Sequence, residues 1–523
     1  MGKNRLWVMA LIMGFLLLWG GGVLAKEQLA AEQVLRFGTQ YGDIKSLDPH
    51  FGTTGADMAI IKSMYNGLVR FPDGKVDFKN MQPDLAERWE IAKDYKTATF
   101  YLRKGVQWHK GFGELTSEDV KFSIERVMDP KLGSPFRKQF DNVKEIKTPD
   151  KYTVQLILGK SDPFLLLRVM DYYGGLVACK KAAEKYGKDY KNNPVGTGPF
   201  VFKEYAPKEK VVLTRNDKYF RGKPFLTEVR IFFMPEVSSR LLAFRKGEID
   251  AMRTKDQYIE VLRKEGAKVD LPGPGEYGVI FFNLTKKPFD DIRVRRALSY
   301  GVDRQNLKSF FPEAILDLGY SPCPNGYYGH TNDVPRYDFN LAKAKELLKE
   351  AGFPNGFKFK AAMSNSETMR NTMTVLQEQW RKIGVDMELN IVDHSAYHSL
   401  IRKDANPLVL YRCTRLPICD EYMTQFFHSD SIVGKPTAIT NFIHYSAVDA
   451  LLDGARYETD GAKQLAMYKD AQKKIMEEAA CIPLTVTAQF NGIRKPYFEM
   501  GYHLESTLTY SYTYNEKMRL LKH

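Results

Sequence analysis

The stretch from Leu341 to Ile391 restricts this chain more than any other. Apolar residues recur at helical spacing from Leu341 to Ala351, and Gly352 closes that helix. Phe357 to Ala361 reads as a strand and Glu367 to Ile383 as a long helix closed by Gly384. Val385, Met387, Leu389 and Ile391 then alternate as a half-buried strand should. A chain with this rhythm folds as mixed α/β. The same signals appear upstream. Val34 to Thr39, Thr97 to Leu102, Thr153 to Leu158, Val211 to Thr214, Val229 to Met234 and Val279 to Leu284 are strand-like. Helices are expected at about Ala56 to Leu68, Ser238 to Lys246 and around Phe289 to Leu298. Thr116 to Asp119 carries a capping-box pattern, and Asp129-Pro130 stops the helix that follows. Ala447 to Arg456 and Ala462 to Ala479 read as helices and Ile482 to Thr487 as a strand, while Gly501 to Tyr514 is rich in aromatics and β-formers.

At 523 residues the chain exceeds one compact core, so two or three domains are expected. Its first 25 residues differ from the rest. Lys3 and Arg5 precede an apolar run from Leu6 to Leu18, and Val23-Leu24-Ala25 offers a small-residue cleavage site. That is the pattern of a secretory signal peptide, with an apolar run short for a membrane span. No cysteine follows the run, so no lipid anchor is expected, and the mature chain should be free in a periplasm-like space. Removing Lys3 and Arg5 takes the net charge from +14 to +12. Lysines and arginines are interleaved with acids rather than blocked, which reads as a solvated surface, and export argues against a nucleic-acid partner.

Five cysteines, Cys179, Cys323, Cys413, Cys419 and Cys481, leave at least one unpaired or intermolecular. Cys413 and Cys419, six apart around a proline, are the best local candidates for a bridge. Catalytic signatures are missing: there is no Gly-x-Ser-x-Gly, no phosphate loop, no His-Glu-x-x-His and no Cys-x-x-Cys. The turn Asn193 to Phe200 (NPVGTGPF) is glycine-rich, but a strand rather than a helix follows it, so no nucleotide role is read there. His394 and His398, four apart, would share a helix face and could hold a metal, with Asp393 as a cap or third ligand; an ordinary amphipathic helix start fits as well. Pro407 to Tyr422 (PLVLYRCTRLPICDEY) runs from an apolar strand into a loop with Arg412, Arg415, Asp420 and Glu421. Charges of both signs at a strand end suit a polar binding cleft, and a surface loop could carry them equally. Without a reactive centre, binding is favoured over catalysis.

Several motifs taken in order resemble the family 5 extracellular solute-binding proteins, the peptide/nickel type that serve ABC importers. They are Ser46-Leu47-Asp48-Pro49, Tyr65-Asn66-Gly67-Leu68, Leu85 to Trp89, Tyr101 to His109 running on to Val120, Asn193 to Phe200, Gly247 to Asp250, Phe289 to Leu298, and Tyr468 to Gln472 with Ile482-Pro483-Leu484. The resemblance implies a two-lobed periplasmic binding protein fold of Venus-flytrap type, with an additional domain inserted in the first lobe. Lobe I would comprise 26–65, 191–276 and 498–523, the extra domain 66–190, and lobe II 277–497, with hinge crossings near 276 and 497. It also implies a ligand buried by lobe closure and a closed form read by the membrane permease. By analogy with peptide-binding members, Thr53, Thr54 and Gly55 would face Tyr411, Arg412 and Cys413 across the ligand, and the extra domain would contribute Phe136, with Arg137 beside it. Peptide binders place an aspartate where this chain has Arg415, and the usual tryptophan of the second segment is absent. Arginine there favours a carboxylate over an ammonium, with Asp420 as the acid that a rearranged loop could supply. The expected protein is therefore a monomeric, cofactor-free binder of a peptide or other carboxylate-bearing solute. The alternatives are a metal-chelate binder using His394, His398 or His428, an exported hydrolase, and a periplasmic chaperone using the same cleft.

Overall fold

The computed structural model describes residues 28–523 apart from 274, 311–314, 435–439 and 510. The signal segment read at residues 1–25 lies outside them. Strand Val34–Thr39 lies at the centre of a seven-stranded sheet. It pairs in parallel with Glu228–Phe233 on one side and Ala251–Arg253 on the other. Antiparallel strands Lys210–Arg215 and Phe200–Ala206 extend one edge. On the other edge Gly492–Arg494 pairs with both Ala251–Arg253 and Lys268–Asp270. The chain is thus back in this sheet by Gly492, five residues before the crossing read near 497.

A second, four-stranded sheet has the order Ile315–Leu318, Cys481–Thr487, Tyr277–Phe282, Leu408–Cys413. Tyr277–Phe282 and Cys481–Thr487 are buried along their whole length, as strands covered on both faces must be. The rhythm that opened the sequence reading forms a unit beside it. Phe357–Ser364 and Val385–Val392 pair in parallel, joined by helix Glu367–Arg381. Gly352 and Gly384 both take positive φ, 89° and 85°, where a side chain would be strained. A third sheet, Ala86–Ile91, Thr97–Leu102, Thr153–Leu158, Val143–Asp150, is wholly antiparallel and belongs to the stretch read as an extra domain. Helix Ser117–Met128 packs on it, opened by the capping box of Thr116 and Asp119. In Thr97–Leu102 the buried residues are Ala98, Phe100 and Leu102, the face read from alternation.

Two local readings change. Helix Gly55–Met64 ends four residues before Leu68, because the Met64 carbonyl accepts the Gly198 N–H at 2.8 Å. The NPVGTGPF turn lies directly on that helix end, where a Cβ at Gly196 would come within 1.9 Å of the Met64 oxygen. The second change concerns sulfur. Cys419 is bridged to Cys323, 96 residues away, and Cys413 is a buried free thiol. Cys413 ends a strand whose partner is Tyr277, whereas Cys419 begins helix Cys419–Phe427 and meets the loop at Cys323. Proximity in sequence misassigned that bridge.

Candidate ligand-binding site

A cavity of about 710 Å³ opens between the bodies of the two larger sheets. One wall comes from the seven-stranded body, with Gln40, Arg253, Thr254 and Asn491. The other comes from the four-stranded body and its βαβ unit, with Tyr411, Arg412, Thr485, Thr487, His394 and His398. Arg412 is the central charge of this second wall. It stands opposite Gly278 in the adjacent strand, and Gly278 in turn faces Thr485 one strand further on. A Cβ on Gly278 would lie 2.8 Å from Arg412 Nη1, so glycine there is what lets the guanidinium lie flat across the sheet. It reaches Thr487 Oγ1 at 3.0 Å and Thr485 Oγ1 at 3.5 Å. Glu276 is 3.6 Å from Nε as an ion-pair partner, but Nε itself makes no hydrogen bond among the described residues.

Two further buried polar atoms of cavity-lining residues, Thr254 Oγ1 and His398 Nδ1, lack a hydrogen bond among the described residues. Orphaned buried donors and acceptors are rare in a folded protein, and three around one cavity mark where a polar ligand would be satisfied. His394 and His398 occupy helix His394–Arg402 as the spacing suggested, with ring centroids 4.7 Å apart and nearly perpendicular. His394 Nδ1 is 2.8 Å from Ser364 Oγ. Burial lowers the His398 pKa to about 4, helped by the charges of His394 and Arg402, so its ring is neutral near pH 7. Among the described residues no group of three or more His, Cys, Asp or Glu is placed to hold a metal ion. His428 is not in the cavity; its Nε2 lies 3.4 Å from Asp453.

The other residues read as site candidates are distributed more widely. Thr54 caps helix Gly55–Met64, and the Asp57 carboxylate accepts the N–H groups of Lys45, Thr53 and Thr54, which fixes this loop internally. Thr53 lines a separate groove. Phe136 packs on Tyr173 at 4.9 Å, and Arg137 is exposed with Nε donating to the Met128 carbonyl. Arg415 lies along helix Cys419–Phe427, bonded to Gln425 Oε1 and the Thr414 carbonyl and 5.9 Å from the Phe426 ring. Its own peptide is clamped by Tyr327, whose hydroxyl accepts the Arg415 N–H and donates to the Arg415 carbonyl. Asp420 is buried and paired with Arg456 at 3.1 Å. Of the ten candidates, Tyr411 and Arg412 line the inter-body cavity. Arg253 and Thr254 were not singled out from sequence; Arg253 ends, and Thr254 directly follows, the short strand after Gly247-Glu248-Ile249-Asp250, and the motif itself carries no sign of the cavity.

Among the described residues no helix is long and apolar enough to cross a membrane. The model of the bacterial extracellular solute-binding proteins, family 5, middle region, matches residues 80–432. The dipeptide-binding protein of Escherichia coli K12 is 28% identical over 87% of this chain and 89% of its own length. The solved structure of MoaA from A. tumefaciens R10 with mannopinic acid is 35% identical with a TM-score of 0.82, over 94% of this chain and all of that one. DppA from Helicobacter pylori with the peptide STSA is 27% identical with a TM-score of 0.78, over 95% and 99% of the two chains. These are two-lobed periplasmic binding proteins rather than enzymes, and the mixed α/β sheets found here are arranged in the same way. The chain belongs to the family 5 extracellular solute-binding proteins and is a substrate-binding protein of the ABC-importer class.

Proposed function

We propose that this chain is exported to the periplasm, acts without catalysis, and closes its two lobes on a small carboxylate-bearing solute that it hands to an inner-membrane permease. The observation that carries the reading is Arg412. Its side chain is only 6% exposed, it faces the inter-body cavity, and among the described residues its Nε has no hydrogen-bond acceptor, with Glu276 at 3.6 Å as an ion-pair partner only. A buried guanidinium with an open donor suits a carboxylate, and Thr254 on the opposite wall lets one solute engage both lobes. Such bridging favours the closed form, since only a ligand that binds it better can shift the equilibrium. Lobe motion would turn on the crossings near 276 and around Gly492–Arg494.

Two features support an acid over a peptide amine. Arg415 stands where peptide binders keep an aspartate, and Asp420 is committed to Arg456. The 35%-identical structure holds mannopinic acid, which is in keeping with an acidic cargo. Calorimetric titration with matched pairs, an organic acid against its primary amide, tests this directly. Acids should bind and amides fail, and Arg412→Ala should weaken acid binding by about 2–4 kcal/mol. Amide binding equal to acid binding, or unchanged affinity in Arg412→Ala, would sink the proposal. A metal-chelate cargo is favoured by one observation, the adjacent His394 and His398 rings in the cavity wall. Nickel alone binding wild type but not His398→Ala would promote that reading over the first.

A further inference from the structure

Away from the cleft, a groove of about 780 Å³ lies between the loop from Lys45 to Thr53 and the helical side of the inserted domain. Its apolar floor is made by Phe51, Phe122 and Leu132. Four exposed lysines, Lys45, Lys131, Lys188 and Lys191, border it, and none of their ammonium groups forms an ion pair among the described residues. Elsewhere on the surface lysines do find partners, as Lys151 does with Glu114 and Lys203 with Glu228. The only acids in the lining are Glu184 and Asp48, and Asp48 is already neutralised by Arg126 through contacts of 2.7 and 3.0 Å. Four lysines against one uncommitted carboxylate leave a surplus of three positive charges around an apolar concavity. Like charges gathered at a concave site raise the local potential and attract anions. The volume falls in the range of small-molecule sites rather than of flat protein interfaces.

We infer that this groove is a second ligand site, for a small amphiphilic carboxylate whose apolar body lies on Phe51 and Phe122 and whose head is held by the lysines. Every wall comes from one side of the inter-body cleft, so binding here is independent of lobe closure. This inference stands apart from the cargo proposed for the cleft.

Dodecanoate and its uncharged counterpart dodecanol, each kept below its micellar concentration, serve as probes in calorimetric or fluorescence titrations. Wild type should bind dodecanoate about tenfold or more tighter than dodecanol, the ratio that ~1.4 kcal/mol carries. The double variant Lys131→Glu/Lys188→Glu, which alters only exposed side chains, should weaken dodecanoate by at least about tenfold. In Arg412→Ala dodecanoate should still bind, and adding Lys131→Glu/Lys188→Glu to that variant should weaken the remaining binding by the same factor. The inference is overturned by no dodecanoate binding, by equal binding of dodecanol, by charge reversal without effect, or by loss of binding in Arg412→Ala, which would place the probe in the cleft. Preferential binding of a polyglutamate peptide or of anionic vesicles over dodecanoate would overturn it in favour of a macromolecular surface.

Discussion

At the scale of single residues, two buried histidines carry a consequence for pH. The His50 Nδ1 receives Arg126 Nη1 at 2.8 Å, and its Nε2 lies 2.9 Å from the Leu176 carbonyl. A guanidinium can only donate, so Nδ1 must be the bare nitrogen and the ring is neutral. His109 is held likewise, with Nδ1 facing the Gly196 N–H and Nε2 the Gly198 carbonyl. Burial lowers both pKa values to about 4 from an ordinary 6.5. The unfolded chain therefore takes up these protons first. Stability is fully present above pH 6.5 and is lost as pH falls toward 4, by about 2 kcal/mol for each ring between pH 7 and pH 5. Asp84, pushed up to about 6 by burial, works in the opposite direction, adding about 1 kcal/mol over the same window. Denaturant melts at pH 7 and pH 5 should show a net fall of about 3 kcal/mol from these three groups. In His109→Asn, where the amide oxygen can still accept from Gly196, that fall should shrink by roughly half or more; a slope unchanged by the substitution would remove His109 from this account. The sequence hinted at none of this. His109 was visible only as part of a motif, and its burial follows from a turn folded onto it from 87 positions away.

At the scale of elements, glycines and sulfurs make the sharper claims. Gly278 is needed because Arg412 lies across it, so Gly278→Ala should displace the guanidinium and weaken acid binding while the melting temperature changes little. Gly196→Ala should do the reverse: the new methyl would meet the Met64 carbonyl, a backbone atom that cannot swing aside, and cost about 1–3 kcal/mol of stability. The Cys323–Cys419 bridge closes a loop of 96 residues, for which chain entropy alone gives about 4–5 kcal/mol. The double Cys323→Ser/Cys419→Ser variant should lose stability on that scale, and native protein should show no alkylation at Cys413, a buried thiol whose pKa burial raises. Most elements could be read in advance, because helix Ser117–Met128 and strand Thr97–Leu102 announce themselves by caps and period. The disulfide could not, since its partner is remote. From sequence, Gly501 to Tyr514 reads only as rich in aromatics and β-formers. Among the described residues its aromatics fill the core, with Tyr512 set edge-on to Phe37 and Phe490 and its hydroxyl on Asp270.

For the whole molecule, two bodies are expected from the family resemblance, whereas the cavity between them arises only once the two sheets are set side by side. Arg412 and the histidine pair stood out as sequence, but Thr254 and Arg253 gain meaning only when the seven-stranded sheet brings them opposite. The inserted domain also touches the second body directly. Phe78 and Phe164 enclose Tyr328 at 5.6 and 5.8 Å, and Lys160 lies over Tyr457 at 4.6 Å. Tyr328 follows Tyr327, which clamps Arg415, so this contact is joined to the segment after the strand bearing Arg412 by that clamp and by the Cys323–Cys419 disulfide. Removing the rings, as in Phe78→Ala/Phe164→Ala, should open the molecule in the absence of ligand, measurable as a larger radius of gyration by solution scattering. The central claim is that an acid occupies the cavity through Arg412. Native mass spectrometry of the exported protein tests it most directly. Wild type should carry a single small adduct that proves on release to be a carboxylate, and Arg412→Ala should emerge without it. An adduct that lacks a carboxyl group, or one retained in full by Arg412→Ala, would contradict the account.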